Sequence, residues 1–262
     1  MTSEEFYIEK YIREIVHPDE DPERFKRGVL YDLIFFPFFG ILPAIGPILT
    51  VKNLITKIDF WSCVVIFSFL TLFAIYICIN PYKKQKEIVL YIGMFYLLFS
   101  ICLITNAIVY TGVLAHLYIL SFLLFAIYIA LLWYVFKILI PRMLKGFRWE
   151  KSKFYKSKLG RKITGIAVSI SSVAGVLGMY IAKVTANFLS HRGVYTVLAL
   201  CLAGLSYLFV FGGKFLYKYY LIIKYPQFYR YIEPPKKKQK RASKKKRSKV
   251  EKTKSSQSSE KA

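Results

Sequence analysis

Between residues 33 and 213 the chain alternates long apolar runs with short basic clusters. Five of these runs, 33–51, 60–82, 88–136, 163–182 and 194–213, contain no Lys, Arg, Asp or Glu. A helix needs about 20 apolar residues to cross a hydrocarbon core roughly 30 Å thick, so each run is long enough to span. The third holds 49 residues, enough for two crossings. A break is expected at Tyr110, Thr111 and Gly112, where a β-branched polar residue and a glycine interrupt the pattern. The pattern predicts an all-α polytopic membrane bundle of about six transmembrane helices.

The first run is irregular, because Pro37, Pro43 and Pro47 each remove a backbone donor that lipid cannot replace. Two forms fit. In one, neighbouring helices cover a kinked span; in the other, the segment dips in and returns as a re-entrant hairpin, which leaves five spans.

Ahead of the first run, residues 1–28 mix acids and bases. Ile8, Ile12 and Ile15 share one helical face, and Glu9–Arg13 and Lys10–Glu14 are opposite charges four apart. A short amphipathic helix is expected to about Val16, lying on the membrane or on the protein's own loops. Asp21 followed by Pro22 then reads as the start of a second helix. The nearby acids Asp19, Glu20 and Glu23 read as helix-start chemistry rather than a metal site. No apolar core with a small-residue cleavage site precedes the first span, which is expected to act as its own insertion signal.

Composition agrees with a bilayer: the chain is 55% hydrophobic with a mean hydropathy of +0.40, yet carries a net charge of +24. Basic residues resist translocation. Six spans with both termini cytoplasmic place 35 Lys and Arg inside and 4 outside. The expected organisation is a cytoplasmic segment at 1–28, a transmembrane domain at 29–216, an aromatic and basic interfacial segment at 217–235, and a disordered polybasic cytoplasmic tail at 236–262.

Candidate chemistry is sparse. Ala167, Ser171, Gly175, Gly178 and Ala182 line one face of the fifth span, a pattern that lets helix backbones approach closely in lipid and points to another helix or subunit. Thr105 and Asn106 are polar positions inside a span, and with Pro37, Pro43 and Pro47 they are the residues that could form a broken helix or polar path. Ser206 and similar hydroxyls read as interhelical hydrogen bonds. Asp32 falls at the edge of the first span, and His116 is expected at an interface. Cys63, Cys78, Cys102 and Cys201 lie within apolar runs and read as small buried hydrophobes. No Gly-x-Ser-x-Gly, His-Glu-x-x-His or Walker-type loop occurs, so the expectation is a non-enzyme with no cofactor or metal.

The tail carries the strongest local charge: Lys236, Lys237, Lys238, Lys240, Arg241, Lys244, Lys245, Lys246, Arg247 and Lys249 fall within 14 residues. Each base gains about 1 kcal/mol near an anionic leaflet, which favours acidic lipid headgroups as partner; RNA or a ribosome would offer phosphates to the same charges. The leading functional expectation is a non-catalytic accessory, scaffold or assembly subunit. The alternative is a small transporter or permease subunit for a neutral or lipid-like substrate, and the third reading is a membrane protein whose tail binds RNA.

Overall fold

The computed structural model describes residues 3–15, 17–145 and 191–233. The chain divides into a unit of Met1–Tyr231, which holds all the helices described below, and a unit of Ile232–Ala262. All regular elements among the described residues are helical. Five stretches are long and apolar enough to cross a membrane: Pro22–Thr50, Leu54–Ile79, Gln85–Leu114, Tyr118–Leu144 and His191–Lys224. They match five of the six expected spans, and the run at 163–182 lies outside the described residues.

Helix α1 (Ser3–Glu14) forms as its pattern requires, with Glu9 and Arg13 paired at 2.7 Å. Its face of Ile8, Tyr11 and Ile12 packs on Val89, Leu221 and Ile222, so it rests on the bundle itself. A short turn at Pro18–Glu20 leads into α2 (Pro22–Phe36), where the Asp21 carboxylate accepts from the Glu23 N–H at 3.0 Å and Pro22 takes the first position.

The first span resolves the question its prolines pose. α2 passes through one π-helical turn, Pro37–Ile41, into α3 (Leu42–Thr50), giving a continuous helical span without a re-entrant hairpin. Side chains from α5 (Gln85–Val109) and the π turn that extends it, Tyr110–Leu114, supply donors to this span. Pro47 cannot donate to the Pro43 carbonyl, and the Tyr110 hydroxyl does so at 2.8 Å. One turn back, Asn106 Nδ2 donates to the Gly40 carbonyl at 2.9 Å. Gly46 admits the tyrosine, since a Cβ there would stand 2.8 Å from its hydroxyl.

The other helices are arranged around α5. α4 (Leu54–Ile79) runs antiparallel to it, with Phe73 near Tyr91 and Cys63 near Asn106. α6 (Tyr118–Tyr134) continues through Val135–Leu139 into α7 (Ile140–Leu144) and is also antiparallel, because Ser121 meets Thr111 and Tyr128 meets Ser100. α8 (His191–Val210) and α9 (Gly213–Lys224) run the same way. The Ser100 hydroxyl donates to the Ser206 carbonyl at 2.9 Å and the Ser206 hydroxyl to the Ser100 carbonyl at 2.8 Å, the interhelical role expected of Ser206. Close approach here depends on Gly93 and Gly212, where a Cβ would stand 2.7 Å from the Leu216 backbone and 2.2 Å from Tyr96. The small-residue stripe at Ala167, Ser171, Gly175, Gly178 and Ala182 lies outside the described residues.

The expected break at Tyr110–Gly112 moves to residues 115–117. Thr111 stays helical because its hydroxyl bonds to the Ala107 carbonyl at 2.9 Å and meets Ser121 at 2.7 Å, leaving no polar group unsatisfied. His116 makes the turn with a positive φ of 56° and is exposed. The bundle therefore has a basal end, holding α1, the turn at 80–84, Lys145 and residues 225–231, and an opposite end, holding the turns at 51–53 and 115–117 and His191.

Candidate functional site

Three polar features are built into the apolar bundle, two toward its basal end and one toward the other. At the basal end, Lys218 is 1% exposed on the face of α9 that carries Phe215, Leu221 and Ile222. Its ammonium meets Glu20 Oε2 at 2.6 Å and donates to the Ile15 carbonyl. Glu20 Oε1 accepts from the His17 backbone N–H at 3.0 Å. The linker between α1 and α2 is thereby tied to the last helix by a buried ion pair with each heavy partner occupied.

His17 sits beside that pair. Its Nε2 lies 2.8 Å from the Tyr96 hydroxyl and its Nδ1 accepts from the Asp19 N–H at 3.2 Å, which fixes a neutral tautomer with the proton on Nε2. Burial lowers the imidazole pKa; Lys214 and Lys218 lower it further, while Asp19 opposes them. The folded state thus binds a proton less readily than the unfolded chain. The stability that neutral His17 contributes is complete above the ordinary imidazole value of about 6.5 and is lost as pH falls from there toward the folded value. We expect the melting temperature in detergent to fall more between roughly pH 7 and pH 5 for the native chain than for His17→Gln. Equal falls would contradict this role for His17.

The second feature is a groove of about 390 Å³ in the flank of the first span, lined by Tyr31, Asp32, Phe35, Phe38, Phe95 and Phe209 among others. Its walls are interlocked rings, with Phe35 and Phe39 at 4.5 Å and Tyr96 and Phe209 at 5.5 Å between centroids. Tyr31, Ile34 and Phe38 are exposed at its mouth. Asp32 and Tyr96 make its polar end. They also line a neighbouring void of about 20 Å³ with His17 and Asp19, room for a water molecule. Gly28 admits Asp19 there, since a Cβ would stand 2.8 Å from its carboxyl carbon. The Tyr91 hydroxyl stands beside Asp32, whose carboxylate retains acceptor capacity toward the groove.

The third feature gathers the expected polar-path residues. Asn106 is held against the π turn by its bond to Gly40, and Nδ2 also reaches the Cys102 carbonyl at 2.8 Å. Pro37 begins that turn and Pro43 is bonded to Tyr110 a turn away. Pro47 lies further along, its own carbonyl taken by Val51 N at 2.8 Å, apart from Asn106. Thr105 stands beside Asp59 while donating to the Cys102 carbonyl at 3.1 Å.

Comparison with protein-family models, with curated proteins and with solved structures finds no match for this chain. The geometry therefore carries the functional reading. Sequence patterning missed two of its charged residues. The apolar run begins at residue 60 and leaves Asp59 just outside it, yet Asn53 caps α4 through its bond from Thr56 N at 2.9 Å, so the helix starts at Leu54 and Asp59 lies inside it. Lys218 falls within the expected interfacial segment at 217–235, although its spacing from Phe215, Leu221 and Ile222 puts it on an apolar, buried face. The tail bases Lys236, Lys237, Lys238, Lys240, Arg241, Lys244, Lys245, Lys246, Arg247 and Lys249 lie outside the described residues.

Proposed function

We propose that the chain is a small, non-catalytic membrane transporter or permease subunit for a lipid-like substrate, an amphiphile with an apolar body and a hydrogen-bond-donating head. The groove on the first span carries this reading. Its volume falls in the range of small-ligand sites, aromatic rings suit an acyl or ring system, and Asp32 with Tyr96 provides acceptors at one end only. The groove borders a helix interrupted by a π turn and prolines, the kind of segment that forms substrate sites in transporters. Under the rule that bases stay inside, the basal end is cytoplasmic, and the tail at 236–249 engages the anionic leaflet.

The accessory or scaffold reading is favoured by a different observation, the exposed apolar faces of α4 and α6 at Leu72, Ile79, Ile119 and Phe122, which a partner helix could cover.

Reconstitution separates the two. The full chain is placed in vesicles carrying acyl-labelled fluorescent phosphatidylethanolamine or phosphatidylcholine, and the label reaching the outer leaflet is followed by a membrane-impermeant quencher. Movement should exceed that in protein-free vesicles, should be faster for the ethanolamine head, which has N–H donors for Asp32, and should drop several-fold for Phe39→Trp at unchanged melting temperature. Rates equal to protein-free vesicles would remove the transport reading and leave the scaffold.

A further inference from the structure

We propose that Asp59 and Asn106 form a binding site for one positive charge, a proton or an alkali cation, inside the bundle. This deepens the transport reading and rests on it for one consequence only, that the bound charge is the coupling ion; the site itself stands on its own atoms.

Asp59 is 6% exposed, and neither carboxyl oxygen has a hydrogen-bond partner among the described residues. Asn106 is 0% exposed, and its Oδ1 is equally without a partner. The amide cannot turn over to offer a donor, because Nδ2 is committed to the Gly40 and Cys102 carbonyls. The Thr105 hydroxyl proton goes to the Cys102 carbonyl. Cys63, one helical turn from Asp59 on α4, lies 3.8 Å from Asn106 Nδ2, which places the two acceptor groups on facing positions of α4 and α5.

Among the described residues the site is therefore dominated by acceptor oxygens, and the donors beside it, the Thr105 hydroxyl and the thiols of Cys63 and Cys102, are neutral and carry no counter-charge. Among the described residues the titratable groups around it are Cys63 on α4 and Cys102 and Tyr110 on α5, none of them a cation, and the first span contributes Gly40 and Pro43. Lys52 and Lys57 are exposed, and no ion pair to Asp59 occurs among the described residues. A carboxylate buried without a counter-charge is unfavourable in a membrane interior. What completes the site must bring positive charge, and the donor set of carboxylate, amide and hydroxyl oxygens is hard, suited to a proton or an alkali ion. Access is short, because Asp59 lies five residues past the start of α4, roughly 8 Å along the helix at about 1.5 Å per residue.

Dicyclohexylcarbodiimide, an apolar reagent for protonated carboxyls, tests the site on the full chain in detergent. The carboxyl proton passes to a carbodiimide nitrogen, the carboxylate oxygen bonds to the central carbon, and the acyl group then migrates to nitrogen, leaving one intact reagent on the residue. Peptide mass mapping in choline chloride should find Asp59 modified, less so as pH rises, and the adduct absent from Asp59→Asn. If sodium chloride at equal ionic strength suppresses the labelling, the occupant is an alkali cation; if it does not, the occupant is a proton. A second measurement, made in choline chloride so that no bound alkali ion stabilises the native chain, guards against a misfolded variant: Asp59→Asn should melt no lower than the native chain, since a neutral amide needs no counter-charge. Unlabelled Asp59 at every pH in choline, or a marked loss of melting temperature in Asp59→Asn, would show a carboxylate already paired and overturn the site. Labelling at Asp59 with no lipid movement in vesicles would retain the site and reject transport.

Discussion

Replacing Lys218 with Met is expected to destabilise the fold by about 3–5 kcal/mol, the usual consequence of breaking one side of a buried ion pair. Glu20 would then hold a carboxylate that is 7% exposed with, among the described residues, only the His17 N–H as donor. The Ile15 carbonyl would lose its ammonium, and the linker that seats α1 on α9 would lose its tie. The loss is expected to come from the stranded charge more than from the pair itself, because desolvating both ions offsets much of their attraction. Glu20→Gln in the same chain should therefore restore a large part of the stability, since the amide oxygen can still accept from His17 and no charge remains buried. Thermal unfolding of the full chain and the three variants in one detergent measures this. A double variant as unstable as the sum of its singles would show that the two residues act independently.

Much of the bundle was legible in the periodicity of the chain. Residues 3–14 and Asp21 with Pro22 carry local signals, namely an apolar face, an i,i+4 ion pair and a cap, and local signals survive folding. Spans are equally legible because bilayer thickness sets their length. The first span was not, because whether Pro47 breaks or bends it depends on a donor far along the chain, Tyr110, which takes the Pro43 carbonyl that Pro47 leaves unpaired. The same holds for the groove. Phe35, Phe39 and Phe209 look alike in sequence, and only the crossing of the first span with α5 and α8 makes them one wall. Asp59 was within reach: reading Asn53 as a cap would have moved the start of α4 and brought a carboxylate into the span. Lys218 was also within reach from its helical spacing, but a lysine among tyrosines reads first as a surface residue.

Selective occupancy of the groove on the first span by an amphiphile, rather than by bulk lipid, is directly measurable. Phosphatidylethanolamine bearing a photoactivatable diazirine on its acyl chain, equilibrated with the full chain in vesicles, should attach to Tyr31, Ile34, Phe38 and Phe209 in a saturable manner. Excess unlabelled phosphatidylethanolamine should compete that attachment away, and Asp32→Leu should weaken it by removing the acceptor at the polar end. Ile119 and Phe122 on α6 are more exposed than Phe38 and provide the internal control; labelling there should rise in proportion to probe without saturating. Groove residues that label in the same unsaturable proportion as α6, unaffected by competitor and by Asp32→Leu, would show that the groove holds only bulk lipid.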